Sequence, residues 1–442
     1  MLILTSLVAF LFVIGVLVFV HELGHFMAAR RIGVRVLTFS LGFGPKIVKF
    51  QRGDTEFCIS AIPLGGYVKM AGENPDDQCT GADDEFMSKS KWERFQVLIM
   101  GPAMNIVLAI IVMTLVLYQG AEMPAYEEEA PVVGTVTEGS AAEGAGIQIG
   151  DRIFSVEDQA IETWSDLFVA VMPRAGRVIS VVVSEPDGRQ RTVSITPDSQ
   201  TDFEMGDLGI GPIMEPQIRS IASGEPADLA GLQVEDVIVA VGGDPVRSEE
   251  LIERINASPG RPLNLTIRRG NTLREVEVTP ALVGDVGLIG VSISPFAVRV
   301  VDPGFAEAFI LSLERNYEWS GLIFQTLVGL FTAETSPKQL VGPVGIAQLS
   351  GGAAELGLVS LFSLLSMISL NLGILNLLPV PVLDGGHIAI IALEGVSGRD
   401  FSTRVKEQML LVGFVLLMTL MVTVIYNDLT RIAWIERLMP WR

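Results

Sequence analysis

Residues 2 to 20 form an uncharged, mostly apolar run that ends in the sequence HELGH at positions 21–25. About 20 such residues suffice to cross a bilayer as a helix, and in lipid only a helix or a closed barrel satisfies its own backbone. The run has no basic n-region and no small-residue cleavage site, so it is expected to stay attached as a span rather than be removed as a signal peptide. Two histidines and a glutamate at the end of a span are costly and read as functional. On a helix His21 and His25 lie one turn apart on the same face, where two imidazoles grip one metal ion while Glu22 reaches its bound water. Zinc is the expected ion, because it takes nitrogen and carboxylate ligands, keeps one position open and lowers the pKa of its water to about 7. A chance HExxH on a soluble surface helix would not sit in so apolar a setting.

Three further runs of spanning length lie at about 97–118, 358–378 and 409–425. With 442 residues, 49% of them apolar, the chain reads as an α-helical polytopic membrane protein with four transmembrane helices and a water-facing part. Arg30, Arg31, Arg35, Lys89, Lys91, Arg94, Arg399, Arg404 and Lys406 flank one side of the spans; only Lys338, Arg431, Arg437 and Arg442 flank the other. The positive-inside rule makes the first group cytoplasmic and leaves both chain ends outside the cytoplasm. The loop between spans two and three is then also outside; its residues 121–300 hold 29 acidic groups against 13 arginines and no lysine, a net −16 that argues against nucleic acid as a partner. Cys58 and Cys79, without metal-ribbon or redox spacing, read as ordinary thiols in a reducing compartment.

Between spans one and two, residues 34–70 alternate short β-like runs with the breakers GFGP, RGD and PLGG, the pattern of a membrane-associated β-hairpin. Its edge is expected to pair with an extended substrate through Glu56, Phe57, Cys58 and Ile59. A fifth apolar run, 305–333, places Glu307, Glu314, Glu318 and Gln325 on one helical face, so it is expected as an amphipathic helix at the outer interface with Tyr317 and Trp319 as interfacial aromatics. The outer loop contains a repeat: GSAAEGAGIQIGD at 139–151 aligns with GEPADLAGLQVED at 224–236, 85 residues later and without gaps. Each copy continues into β-like runs, and the pair resembles two tandem PDZ domains, β-rich modules that bind extended peptides. The expected organisation is a first span at 1–30, a re-entrant β-loop region at 31–95, a second span at 96–119, PDZ-like domains at 128–213 and 214–294, the interfacial helix at 305–333, a third span region at 357–393 and a fourth span at 408–426.

Two histidines leave a catalytic zinc short of a third protein ligand. The segment 371–387, NLGILNLLPVPVLDGGH, interrupts the third span with asparagines, prolines and an aspartate, and offers Asp384 or His387 as that ligand. An irregular backbone at this depth is tolerated only beside protein or a wet cavity, which hydrolysis needs.

HELGH in the first span, together with N-x-x-P-x-x-x-LDG in the third, resembles the site-2 protease family of intramembrane zinc metalloproteases, and the two PDZ-like domains resemble its bacterial branch that acts in regulated intramembrane proteolysis during envelope stress. The resemblance implies that His21, His25 and Asp384 ligate Zn2+, that Glu22 is the general base, and that Asn371, Asn376, Pro379 and Pro381 hold substrate, with His387 structural. It implies a multi-pass protein of the bacterial inner membrane with periplasmic PDZ-like domains and an active site near the cytoplasmic side. Its partners would be single-pass membrane proteins, an anti-sigma factor above all, cut after a prior extracytoplasmic cleavage, with remnant signal peptides and membrane lipid as further contacts. The PDZ-like domains are expected to act as a size filter on such substrates. Two rival classes, a PDZ adaptor with a structural metal and a metal transporter, leave Glu22 without a purpose: a structural site needs four ligands and no base, and a transporter needs polar residues along a path through the spans.

Overall fold

A computed structural model describes residues 2–73, 81–200, 205–301, 303–332 and 335–430; Cys79, Arg431, Arg437 and Arg442 lie outside the described residues. The chain divides into two compact units, one made of Met1–Gln119, Asp302–Phe331 and Pro337–Arg442, the other of Gly120–Val301 and Thr332–Ser336.

Among the described residues, four helices of the first unit are long and apolar enough to cross a membrane: Leu2–Arg31, Lys91–Tyr118, Leu358–Asn376 and Thr403–Thr430. Lipid gives helices no hydrophobic reason to associate, so small residues and side-chain hydrogen bonds hold them together. Ser366 and Ser369 of the third span donate to the Ala109 and Asn105 carbonyls of the second at 2.8 and 2.7 Å. The second helix begins with a capping box between Ser90 and Glu93, which fixes where the span starts. The third span stops at Asn376, and the chain restarts as a separate helix at Asp384–Ser397.

The helix expected at 305–333 forms over Phe305–Phe331 and is anchored on the second and third spans. Ser312 donates to the Ile110 carbonyl at 2.8 Å, and Trp319, expected as an interfacial residue, packs against Ala109, Leu370 and Ile374. Tyr317 remains 82% exposed.

The 34–70 segment is more than a two-stranded hairpin. Strand Val36–Arg52 is long and bent, so its two ends flank the same part of Thr55–Met70. Residues 38–41 pair with 56–59 on one side and with 66–69 on the other, while 48–51 pair with 56–59 again. This corrects the expected edge: Glu56, Phe57, Cys58 and Ile59 are paired on both sides and present no free backbone, because the chain folds back a second time. The outer segments of this small sheet are 46–52 and 66–70.

The second unit repeats one local design. Its first half has the strand order 159–160, 152–156, 179–184, 190–195 around the buried Trp164; its second half arranges 272–278, 263–269, 237–241, 217–221 and 291–294 over the helix Ser248–Asn256. Asp151 and Asp236, equivalent in the repeat, are both buried; each accepts an amide three residues back and an arginine, Arg191 at 3.0 Å and Arg269 at 2.6 Å. The aspartate pattern was visible in the sequence, but the arginines come from non-equivalent strand positions.

One buried charge holds the inner end of the first unit. Glu394 is fully buried, paired with Lys406 of the fourth span at 2.7 Å, and accepts from the Phe401 amide at 2.9 Å. Lys91 of the second span donates to the Glu394 carbonyl and binds Asp400, each at 2.9 Å, which holds the Asp400 carboxyl below its usual range. Removing one partner from such a pair leaves an uncompensated buried charge, so Lys406→Met is expected to destabilise the protein by roughly 3–5 kcal/mol. Replacing both, as Glu394→Gln with Lys406→Met, is expected to recover most of that loss in detergent-solubilised unfolding measurements.

Candidate metal centre

Three segments bring the site together. The first helix carries His21, Glu22 and His25 on adjacent faces; the helix restart carries Asp384; the second span backs both histidines. Only side chains of the first unit take part.

His21 Nε2 lies 3.2 Å from His25 Nε2 and 3.2 Å from Asp384 Oδ2, and His25 Nε2 lies 3.5 Å from Asp384 Oδ1. Donors about 2.0–2.1 Å from a tetrahedral zinc stand about 3.3 Å from one another, so these three fit the base of a zinc tetrahedron with its apex free. Among the described residues this is the one group of three such donors that converges, all within 4.8 Å. His387 is outside it, one turn further along the same helix, with its amide on the Leu383 carbonyl. Of the two candidates left open by spacing, Asp384 and His387, it is the Asp384 carboxylate that stands beside the two imidazoles.

The rings are aimed from behind. His25 Nδ1 is 2.8 Å from the Val97 carbonyl, a pure acceptor, so this nitrogen carries the proton and Nε2 faces the donor cluster. His21 Nδ1 faces the side-chain amide of Asn105 at 3.3 Å. The second span approaches so closely that a Cβ at Gly101 would stand 2.2 Å from His25 Nε2. Sequence reasoning missed Asn105 and Gly101; the available signal was a lone amide within an otherwise apolar span.

Asp384 owes its position to the turn before it. Val382 has φ 104°, a conformation that β-branched residues avoid, and Leu383 precedes the helix so that Asp384 opens it. A carboxylate at a helix start also meets the positive end of the helix dipole. Behind it, a Cβ at Gly385 or Gly386 would stand 2.3 or 2.2 Å from backbone atoms of Leu377 and Val380, which explains the LDGG sequence.

The donors open into a cavity of about 550 Å3 that Glu22 and Asn376 also line, with Gly66, Tyr67, Val68 and Met70 forming one wall. Gly66 permits this wall: a Cβ there would lie 2.7 Å from Val18 and 3.0 Å from Glu22. Of the other expected substrate contacts, Asn371 and Pro379 are exposed outside the lining, Pro381 shapes the turn, and Glu56, Phe57, Cys58 and Ile59 do not reach the cavity.

Two imidazoles, a carboxylate and a glutamate in a cavity among four spans define a polytopic membrane protein of the metallopeptidase class. The sequence pattern of peptidase family M50 matches residues 9–420, and the chain belongs to that family, the zinc-dependent site-2 proteases. It is 34% identical to the regulator of sigma-E protease RseP of Salmonella typhimurium and 32% identical to the regulator of sigma E protease of Haemophilus influenzae, in both cases over 97% of this chain and 99% of the relative. It is also 34% identical, with the same coverage, to a Neisseria meningitidis protein that carries the name of a zinc metalloprotease. The chain is thus a membrane zinc metallopeptidase.

Gly101→Ala tests the second span as the back wall of the centre. It should fold, since alanine suits a helix, yet lose at least tenfold in zinc affinity through displacement of His25, as read by chelator competition on the purified protein.

Proposed function

We propose that the chain hydrolyses peptide bonds within or next to the transmembrane segments of single-pass membrane proteins, with His21, His25 and Asp384 holding zinc and Glu22 moving the proton. What carries this reading is the cavity, where Glu22 and the three donors face the strand segment 66–68. Zinc, when bound, supplies Lewis acidity toward the scissile carbonyl and lowers the pKa of the attacking water. Glu22, buried in the cavity wall, takes the proton of that water and returns it to the leaving amine.

A bond in a membrane helix is shielded by its own hydrogen bonds, so the substrate must be extended first. Segment 66–68 pairs, among the described residues, with the strand segment 39–41 and lines the cavity, which suits it to receive an unwound substrate as an added strand. Asn376 offers an amide to backbone groups freed by the unwinding.

Relatives named as regulators of sigma E support an anti-sigma factor of the bacterial inner membrane as the substrate, and the resemblance to the site-2 protease family implies that another protease trims it first. In this reading the acidic second unit is a periplasmic tandem of PDZ-like domains, supported by the sequence repeat and its doubled aspartate–arginine contact, and the basic flanks of the spans face the cytoplasm.

Glu22→Gln should retain stoichiometric zinc and lose turnover, whereas Asp384→Asn should lose zinc itself. Full metal in Asp384→Asn, with loss in a His387 variant instead, would sink the ligand assignment. For the edge, prolines at Tyr67 and at Val68 sample both sides of the strand, because successive amides alternate. One of them should slow cleavage of a membrane substrate about tenfold, the worth of one backbone hydrogen bond, without changing zinc content. Normal rates in both would reject strand addition at this edge.

A further inference from the structure

We propose that Asn105 is the positioning residue of His21, able to serve the ring nitrogen that faces away from the metal in either of its protonation patterns; this rests on the reading of His21 as a zinc ligand. Asn105 is fully buried in the second span, with its side-chain nitrogen 3.3 Å from His21 Nδ1 and its side-chain oxygen without a hydrogen-bond partner among the described residues. Its backbone carbonyl is taken by Ser369 of the third span at 2.7 Å, so the residue is fixed from two sides.

A buried amide oxygen without a partner costs free energy unless some state of the protein uses it. The two histidines differ in what stands behind them. His25 faces the Val97 carbonyl, which can only accept, and is locked with its proton on Nδ1. His21 faces an amide, whose nitrogen and oxygen exchange places on a half-turn with almost no change of shape.

With nitrogen toward the ring, Asn105 donates to His21 Nδ1, and the ring proton sits on Nε2. That proton then meets Asp384 Oδ2 or His25 Nε2, both 3.2 Å away, which suits a site without its cation. A ring that gives Nε2 to a metal carries its proton on Nδ1 and needs an acceptor there. The half-turn presents the unused oxygen to it. Aspartate would serve only the second pattern and leucine neither, so asparagine is the residue that offers His21 Nδ1 a matching partner in both tautomers.

The test is zinc affinity, by chelator competition on the purified full-length protein, for wild type, Asn105→Leu, Asn105→Asp and His21→Ala, with thermal unfolding of the zinc-free forms. Asn105→Leu should bind zinc about 10- to 100-fold more weakly, while its zinc-free form stays folded, because loss of the one amide–imidazole hydrogen bond is partly offset by removal of an amide oxygen that had no partner among the described residues. Asn105→Asp, which keeps the acceptor, should stay within a few-fold of the wild type. Wild-type affinity in Asn105→Leu beside lost zinc in His21→Ala would overturn the inference alone, as would equal weakening in the Leu and Asp variants. Unchanged zinc in His21→Ala would instead overturn the ligand assignment and the inference with it. If the Leu variant does not fold, Asn105→Ser, too short to reach the ring, carries the same expectation.

Discussion

Polar groups within a membrane segment must be satisfied by protein, and that constraint organises the first unit. His21 and His25 sit where the first span meets the second, and each ring is held from behind by a group of the second span: Asn105 for one, the Val97 carbonyl for the other. The cost of burying the two imidazoles and the Asp384 carboxylate is offset because each meets a partner of matching polarity. The second span is therefore the inner wall of the centre, and its small residue at Gly101 sets how near that wall stands.

The interruption of the third span solves a second problem. A straight helix through 358–397 would carry Asp384 past the histidines, whereas the break at 377–383 restarts the helix with its first residue pointing at them. The turn stores strain at Val382 and excludes side chains at Gly385 and Gly386. The helix so started is held at its far end by Glu394, Lys406 and Lys91, which tie it to the fourth and second spans.

Much of this was legible in the sequence where the signal is local. Four apolar runs gave the four candidate spans, and HELGH gave two donors one helical turn apart. LDG narrowed the third donor to two candidates because glycine and proline mark a break at spanning depth. What pairing decides was not legible. Glu56–Ile59 has the composition of an edge strand, but its position in the sheet depends on a second fold-back of the chain that no local pattern records. Asn105 and Glu394 looked like isolated polar residues, since their partners lie on other helices, and Trp319 reads equally well as an interfacial or a packing residue until its neighbours are known.

The central claim is that two imidazoles and one carboxylate of the first unit hold zinc and leave its fourth position to the reaction. X-ray absorption at the zinc edge of the full-length protein tests it most directly. The expected result is scattering from two imidazole rings and light oxygen donors at about 2.0–2.2 Å, with no sulfur. A third imidazole, which would bring in His387, or a sulfur at about 2.3 Å would contradict it.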